Sequence, residues 1–162
     1  MPLIIRQASL ADWAAIAHIE ATCFPPAEAA SPASLQDRLT AFTTSFFVAE
    51  RDGKMVGFIN GCITNQSTLT DDLYESTSKH DLGGANMMIF GLDVLPEYQH
   101  QGIAQQLMRA YIAAGRNMAK ESIILTCKEK LIPFYKQFGY VCTGVSASTH
   151  GGATWYDMVL TL

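Results

Sequence analysis

Residues 86–94, NMMIFGLDV, are the run that most narrows the fold. They are apolar almost throughout, so a strand built from them needs cover on both faces. Pro96 follows, then a polar stretch, then Ile103, Leu107, Tyr111 and Ala114 at the spacing of an amphipathic helix. A doubly covered strand that hands over to a helix belongs to a layered α/β fold. The junction is made of small residues, Gly102 and Ala104, and no acidic side chain lies between Gln99 and Arg109. Small residues let a ligand approach the backbone, and the first amides of a helix carry a partial positive charge. The junction therefore reads as an anion site.

The rest of the chain fits around that unit. Residues 3–8 suit a short first strand. Ser9 with Asp12 resembles a capping box, and Leu10, Trp13, Ile16 and Ile19 continue as a helical stripe. Ser31-Pro32 caps a second helix carrying Leu35, Leu39 and Phe42. SFFVAERDGKMVGFINGCIT reads as a hairpin turning at Asp52-Gly53. Residues 65–85 are polar, with one helical turn near Asp71–Glu75. SIILTC is a further strand, and LIPFYKQFG is a short helix ended by Gly139. Residues 140–148 and 153–161 pair as a last hairpin across His150-Gly151-Gly152. The order is β-α-α-β-β-β-α-β-α-β-β, a single domain over residues 1–162.

Composition removes other classes. A net charge of −4 argues against a nucleic-acid binder and suits a cationic substrate. No apolar run reaches the ~18 residues that a membrane span needs, and the N-terminus has no signal-peptide pattern. Cys23, Cys62, Cys127 and Cys142 form no CxxC pair, which reads as reduced thiols in a cytoplasmic protein without a metal site.

Two motifs then carry a resemblance. Gln99-His100-Gln101-Gly102-Ile103-Ala104 stands as a complete Arg/Gln-x-x-Gly-x-Gly/Ala diphosphate motif, and KEKLIPFYKQFGY follows at residues 128–140. With these the sequence resembles the GNAT N-acetyltransferases, and among them the arylalkylamine (serotonin-type) enzymes. The resemblance implies a mixed, mostly antiparallel central sheet of about seven strands, splayed in the middle and flanked by about four helices. It implies acetyl-CoA as co-substrate and no metal. The diphosphate would lie on Gln99 to Ala104 and Gln105, and the pantetheine arm on the backbone of Leu92, Asp93 and Val94, with the Asp93 side chain on the other face.

Residue by residue, the resemblance makes Tyr135 the acid that protonates the departing thiolate, a sound role for a phenol. The plain alternative is a core aromatic alongside Leu131, Phe134 and Phe138. Substrate contacts carry over to Phe24, Pro32, Thr126, His150, Ala153 and Trp155, of which Phe24 and Trp155 could frame an apolar or aromatic amine. The two histidines that relay the amine proton in the animal enzymes fall at Met88 and Phe90, which accept no proton. His150 is one substitute base, Glu28 in the substrate loop is another, and ordered water is a third. His18, His80 and His100 read as surface residues, and Cys127 as a buried thiol rather than a nucleophile.

The expectation is an acetyl-CoA-dependent N-acetyltransferase acting on a primary amine of a small molecule by direct attack in a ternary complex, as a monomer or homodimer. The alternatives are acetylation of a protein N-terminus or lysine, and a non-catalytic acyl-CoA-binding module.

Overall fold

The computed structural model describes residues 2–162. Strand β1 (Leu3–Gln7) is followed by α1 (Trp13–Cys23), α2 (Pro32–Ala41), the hairpin β2 (Phe46–Arg51) and β3 (Lys54–Asn60), and short β4 (Ile63–Thr64). Then come α3 (Asp71–Glu75), β5 (Asn86–Ile89), β6 (Gly91–Val94), α4 (Ile103–Asn117), β7 (Ser122–Cys127), α5 (Ile132–Lys136), β8 (Val141–Val145) and β9 (Tyr156–Thr161). The strands form two sheets, one ordered β1-β2-β3-β6 and the other β4-β5-β7-β9-β8. Every ladder is antiparallel except β5 with β7. The fold is a mixed, mostly antiparallel α/β one, with nine strands and five α-helices among the described residues rather than about seven and four.

The main correction concerns residues 86–94. They are not one strand but two, in different sheets. Ile89 pairs with Leu125 of β7, and two residues later Gly91 pairs with Asn60 of β3. The chain changes partner across Phe90, whose amide donates to the Asn60 carbonyl at 2.7 Å. Gly61 makes the crossing fit, because a Cβ there would lie 1.6 Å from the Met88 carbonyl oxygen. Tyr111 of α4 donates its hydroxyl to that same oxygen at 2.5 Å. An apolar run reports burial and does not say which neighbour a strand pairs with. The 45–64 hairpin is also shorter than its pattern suggests, since Ile63 and Thr64 pair with β5 in the second sheet.

Both sheets are covered. Helix α4 packs Ile103, Leu107 and Tyr111 on one side, with Met87, Ile123 and Leu125 from the strands. Helices α1 and α2 cover the other with Ile16, Ile19, Leu35 and Leu39, against Phe46 and Phe58. Leu10 falls outside the stripe and is 57% exposed, because a 3-10 turn occupies Leu10–Asp12 and the α-helix starts at Trp13. Asp12 holds that turn by accepting the Ser9 amide at 2.8 Å. Its carboxylate also takes both terminal nitrogens of Arg6 at 2.8 Å. His80 is half-buried rather than free on the surface, accepting the Ile63 amide on Nδ1 at 3.0 Å and packing on Phe42.

Candidate active site

Strand β6 is the edge of its sheet and β7 belongs to the other, so the two diverge and leave a gap. At the far end of β6 the chain makes a short turn at Pro96–Tyr98 and enters the loop before α4. His100 and Gly102 both have positive φ, 62° and 81°. A non-glycine residue held in that region is a strained position that the surroundings must enforce. Gly102 is the N-cap of α4 and offers no side chain to the helix amides, and no acidic residue lies in the first turn. The first α4 bond runs from the Gln106 amide to the Gly102 carbonyl at 3.1 Å, so the amides before it have no partner within the helix. A Cβ added at Gly102 would meet nothing within 4 Å. Amides, dipole and open space together fit an anion.

Two side chains support the loop. Gln99 turns back and donates Nε2 to the Val94 carbonyl at 3.0 Å, an oxygen that also receives the Cys23 thiol at 3.3 Å. Arg51, at the end of β2, donates to Gln101 Oε1 at 2.6 Å. Its Nε is buried without a partner. Arg51 thus brings a cation to the anion loop from a distant hairpin, which no motif in the sequence signals.

The gap opens into a cleft of about 740 Å³. Leu92, Asp93, Val94 and Gln99 lie in its wall on the β6 side, and Leu125, Thr126 and Cys127 on the β7 side. Tyr135 enters from α5, 8% exposed, with its ring edge-on to Phe134 and Tyr140 at 5.1 and 5.8 Å. Burial above all, then the neighbouring Cys127, Tyr74 and Asp93, raises its pKa far above the usual phenol range. Tyr135 therefore holds a proton at neutral pH and is a donor. Leu131, expected beside it in the core, is 40% exposed because it belongs to the 3-10 turn before α5. Cys127 is pushed up to about 11 by burial, which keeps it a thiol.

The other end of the cleft is closed by two loops that hold each other. His150 Nε2 contacts the Glu28 carbonyl oxygen at 2.8 Å. A carbonyl only accepts, so Nε2 carries the hydrogen and Nδ1 is the one basic nitrogen of the neutral ring. The imidazole stacks on Tyr74, with centroids 5.3 Å apart and planes at 11°. Trp155 Nε1 donates to the His150 carbonyl at 2.8 Å. Glu28 pairs with Lys128 at 2.9 Å, and the Lys128 ammonium sits 5.7 Å from the Trp155 ring centre. Of the two bases expected from the sequence, His150 is thus tied through Nε2 to the Glu28 loop, and the Glu28 carboxylate is tied to Lys128.

Of the expected acceptor contacts, Phe24, Phe90, Thr126, His150 and Trp155 line the cleft. Pro32, Met88 and Ala153 are outside that lining. Pro32 is exposed at the start of α2, where its carbonyl accepts Trp13 Nε1 at 2.7 Å. Met88 is fully buried in β5. His100, Gln101, Gly102, Ile103, Ala104 and Gln105 form the loop and first turn beyond the cleft mouth.

The wall also holds two charges that sequence reasoning passed over, Glu20 and Arg38, 6% and 4% exposed; Asp93, expected to act through its backbone, is 1% exposed with its side chain near Glu20 of α1. A signal was present. Glu20 stands with Ile16 and Ile19 on the buried stripe of α1, and Arg38 with Leu35 and Leu39 on that of α2. A charge at an apolar stripe position has to be paired or functional. Among the described residues no group of three or more His, Cys, Asp or Glu is arranged to hold a metal. None of their helices is long and apolar enough to cross a membrane.

A sheet opened between two strands, an amide-rich helix start at its mouth and a buried phenol inside define an α/β fold with a cleft set into its own sheet. A model of the acetyltransferase (GNAT) family matches residues 13–140, and the chain belongs to that family. The serotonin N-acetyltransferase of Mesocricetus auratus is 30% identical over 112 residues, covering 68% of this chain and 53% of that protein. The chain spans about half the length of the curated relatives it matches. The GphF GNAT-like decarboxylase, solved with isobutyryl-CoA, superposes with a TM-score of 0.85 at 19% identity, covering 98% of each chain. The PaiA N-acetyltransferase of Thermoplasma acidophilum, solved with coenzyme A, gives 0.75 at 15% identity, covering 100% of both. At those identities the likeness is one of fold.

Proposed function

We propose that the protein is an acetyl-CoA-dependent N-acetyltransferase whose acceptor is the primary amine of a small molecule with an apolar or aromatic body. One observation carries the reading. Strand β6 and the protonated Tyr135 line one cleft, and the open anion loop at Gly102 follows Gln99 just beyond its mouth. The relative in Mesocricetus auratus supports an amine acceptor, and the family match supports acetyl-CoA as the donor.

Acetyl-CoA, when bound, supplies an acyl carbonyl activated by its thioester. The amides at the start of α4, with Arg51 beside them, hold the diphosphate. Strand β6, which has no strand paired on its cleft side, orients the arm in the gap. Tyr135 keeps a proton at Oη for the sulfur that leaves. Phe24 and Trp155 take the acceptor's apolar body, and the Glu28–Lys128 and His150–Glu28 contacts close the wall around it. Holding both reactants in one cleft turns a two-body encounter into a step within a complex, worth up to ~7–11 kcal/mol of barrier when alignment is good.

The test is transfer itself. The protein is incubated with acetyl-CoA and a panel of alkylamines, arylalkylamines, polyamines and short peptides, and products are read by mass spectrometry. An N-acetylated small amine with matching thiol release is the expected result. Acetylation confined to peptides, or no transfer to any amine, contradicts the reading.

A further inference from the structure

The acceptor must also lose a proton before it can attack. An amine reaches the cleft near neutral pH as an ammonium ion, which has no lone pair for attack. Met88 and Phe90 cannot take its proton, the Glu28 carboxylate is paired with Lys128, and His150 has Nε2 held on the Glu28 carbonyl with Nδ1 alone to offer. Another part of the wall is built for it.

Around Gly91 three polar side chains converge. Measured from where a Cβ of Gly91 would stand, Asp93 Oδ1 is 3.0 Å away, Asn60 Nδ2 3.5 Å and Glu20 Oε1 3.7 Å. Gly91, Glu20 and Asp93 are all in the cleft lining. The missing side chain at Gly91 is thus a notch that connects these groups to the cleft. Asn60 is fully buried and Asp93 is 1% exposed. Neither Asp93 oxygen has a hydrogen-bond donor, and Asn60 Nδ2 has no acceptor. Glu20 stands in front of them with Oε2 fixed by the Ala30 amide at 2.7 Å. Unpartnered buried groups cost about 1–3 kcal/mol each, so their persistence beside a cleft points to a task.

We propose that Glu20, positioned beside Asp93 at the Gly91 notch, is the base that takes the proton from the acceptor's ammonium group, and that the acceptor is accordingly an alkylamine that enters as a cation. This rests on the acetyltransferase reading and deepens it. Two carboxylates facing one notch cannot both stay ionised cheaply, and a single proton held between them supplies the donor that Asp93 lacks. Burial first, then the Glu20 charge, raises Asp93 well above the ordinary carboxylate range. The proton belongs to the pair. The charged and titratable groups around it are Arg38 from α2, Tyr74 from α3, Tyr135 from α5, Cys23 from α1 and, farther out, Glu97 and Cys62. Arg38 stays cationic and favours the ionised pair. Cys23 and Tyr74, each pushed up to about 12 chiefly by burial, stay neutral.

The step balances. The ionised pair receives one proton from the ammonium, an N–H bond giving way to an O–H bond, and leaves a neutral amine. The amine lone pair forms the N–C bond while the C–S bond of acetyl-CoA breaks. The sulfur leaves with the Tyr135 proton, the nitrogen's surplus proton restores the phenol, and the proton on the pair returns to solvent.

The experiment compares phenethylamine, cationic at pH 7, with an arylamine such as 4-aminophenol, neutral at pH 7, in the wild type, Glu20→Gln and Asp93→Asn. Glu20→Gln should lose about 10²–10⁴-fold in kcat with phenethylamine, with the acetyl-CoA-induced thermal shift intact and arylamine transfer largely kept. The phenethylamine deficit should narrow from pH 7 to 9.5, as solvent removes the proton instead. Asp93→Asn should move the acid limb of the phenethylamine profile to lower pH, because the raised Asp93 carboxyl no longer shares a proton in the notch. Equal losses for both amines, or parallel pH profiles, overturn the proposal and leave the pair as structure. If one variant fails to fold, the other decides by the same ratio of amines and the same profile. If the wild type transfers acetyl to no amine while still binding acetyl-CoA, the acetyltransferase reading itself is lost, which is a separate and recognisable outcome.

Discussion

At the scale of single residues, the chemistry depends on groups whose protons are held by their surroundings. Tyr135 is the clearest. Its ring is fixed edge-on between two aromatic neighbours, and burial keeps its hydroxyl protonated. Tyr135→Phe deletes the proton and keeps the packing. It should lower kcat about 10²–10⁴-fold while the dissociation constant for acetyl-CoA, measured calorimetrically, stays near the wild-type value. An unchanged kcat, with the chemical step shown to limit turnover, would remove Tyr135 from the mechanism. This residue was legible in the sequence because it stands inside a motif. Glu20 was not, although its place on a stripe with Ile16 and Ile19 marked it as a buried charge. The stripe shows that a residue is buried but not what it faces, and the facing partner Asp93 is 73 positions away in the chain.

At the scale of elements, the sequence was most readable where local chemistry decides the structure. The Asp52-Gly53 turn, the Ser31 cap and the helix after Gly102 all form where their residues require. The break inside residues 86–94 was not readable, because it depends on β3 approaching past Gly61 and on β7 pairing with only the first half. That break opens the gap, so the feature that makes the site is the one least visible in the chain. A second long-range device ties β1, the turn before α1 and β2 together. Arg6 reaches Asp12 at 2.8 Å and Glu50 at 2.7 Å. The hydrogen bonds from Arg6 hold Asp12 below its ordinary pKa, against the opposing effect of burial. A depressed folded pKa contributes stability that is present above the unfolded value of ~3.9 and is lost as pH falls through the folded value. Asp12→Asn should therefore lower Tm by a few degrees at pH 7, with the gap closing as the pH drops below that reference. Asp93 has the opposite sign. Its raised folded pKa gives stability that is present below ~3.9 and is lost as pH rises through the folded value. Thermal melts across pH check both. A gap for Asp12→Asn that stays constant down to the acid limit would show that Arg6 does not act through that carboxylate.

For the whole molecule, two covered sheets meet along one short break, and everything assigned to function lies on that line. The anion loop is at one end, Tyr135 and the Glu20–Asp93 notch are along it, and the loops joined by Glu28, Lys128 and His150 close the other end. The proposed function requires of this architecture a long ligand that carries its anionic part at the α4 terminus and its reactive end inside. Thermal unfolding with acetyl-CoA tests that requirement most directly. A ligand that binds only the folded state at a hundredfold excess over its Kd adds about 2.7 kcal/mol, and each kcal/mol moves Tm by about 2–4 °C for a domain of this size. The wild type should melt roughly 5–10 °C higher with saturating acetyl-CoA. Gly102→Val, which puts a branched side chain at a positive φ and into the open space at the helix start, should show no such shift while remaining folded. An unchanged wild-type Tm at saturating acetyl-CoA, or an equal rise in Gly102→Val, would contradict the account.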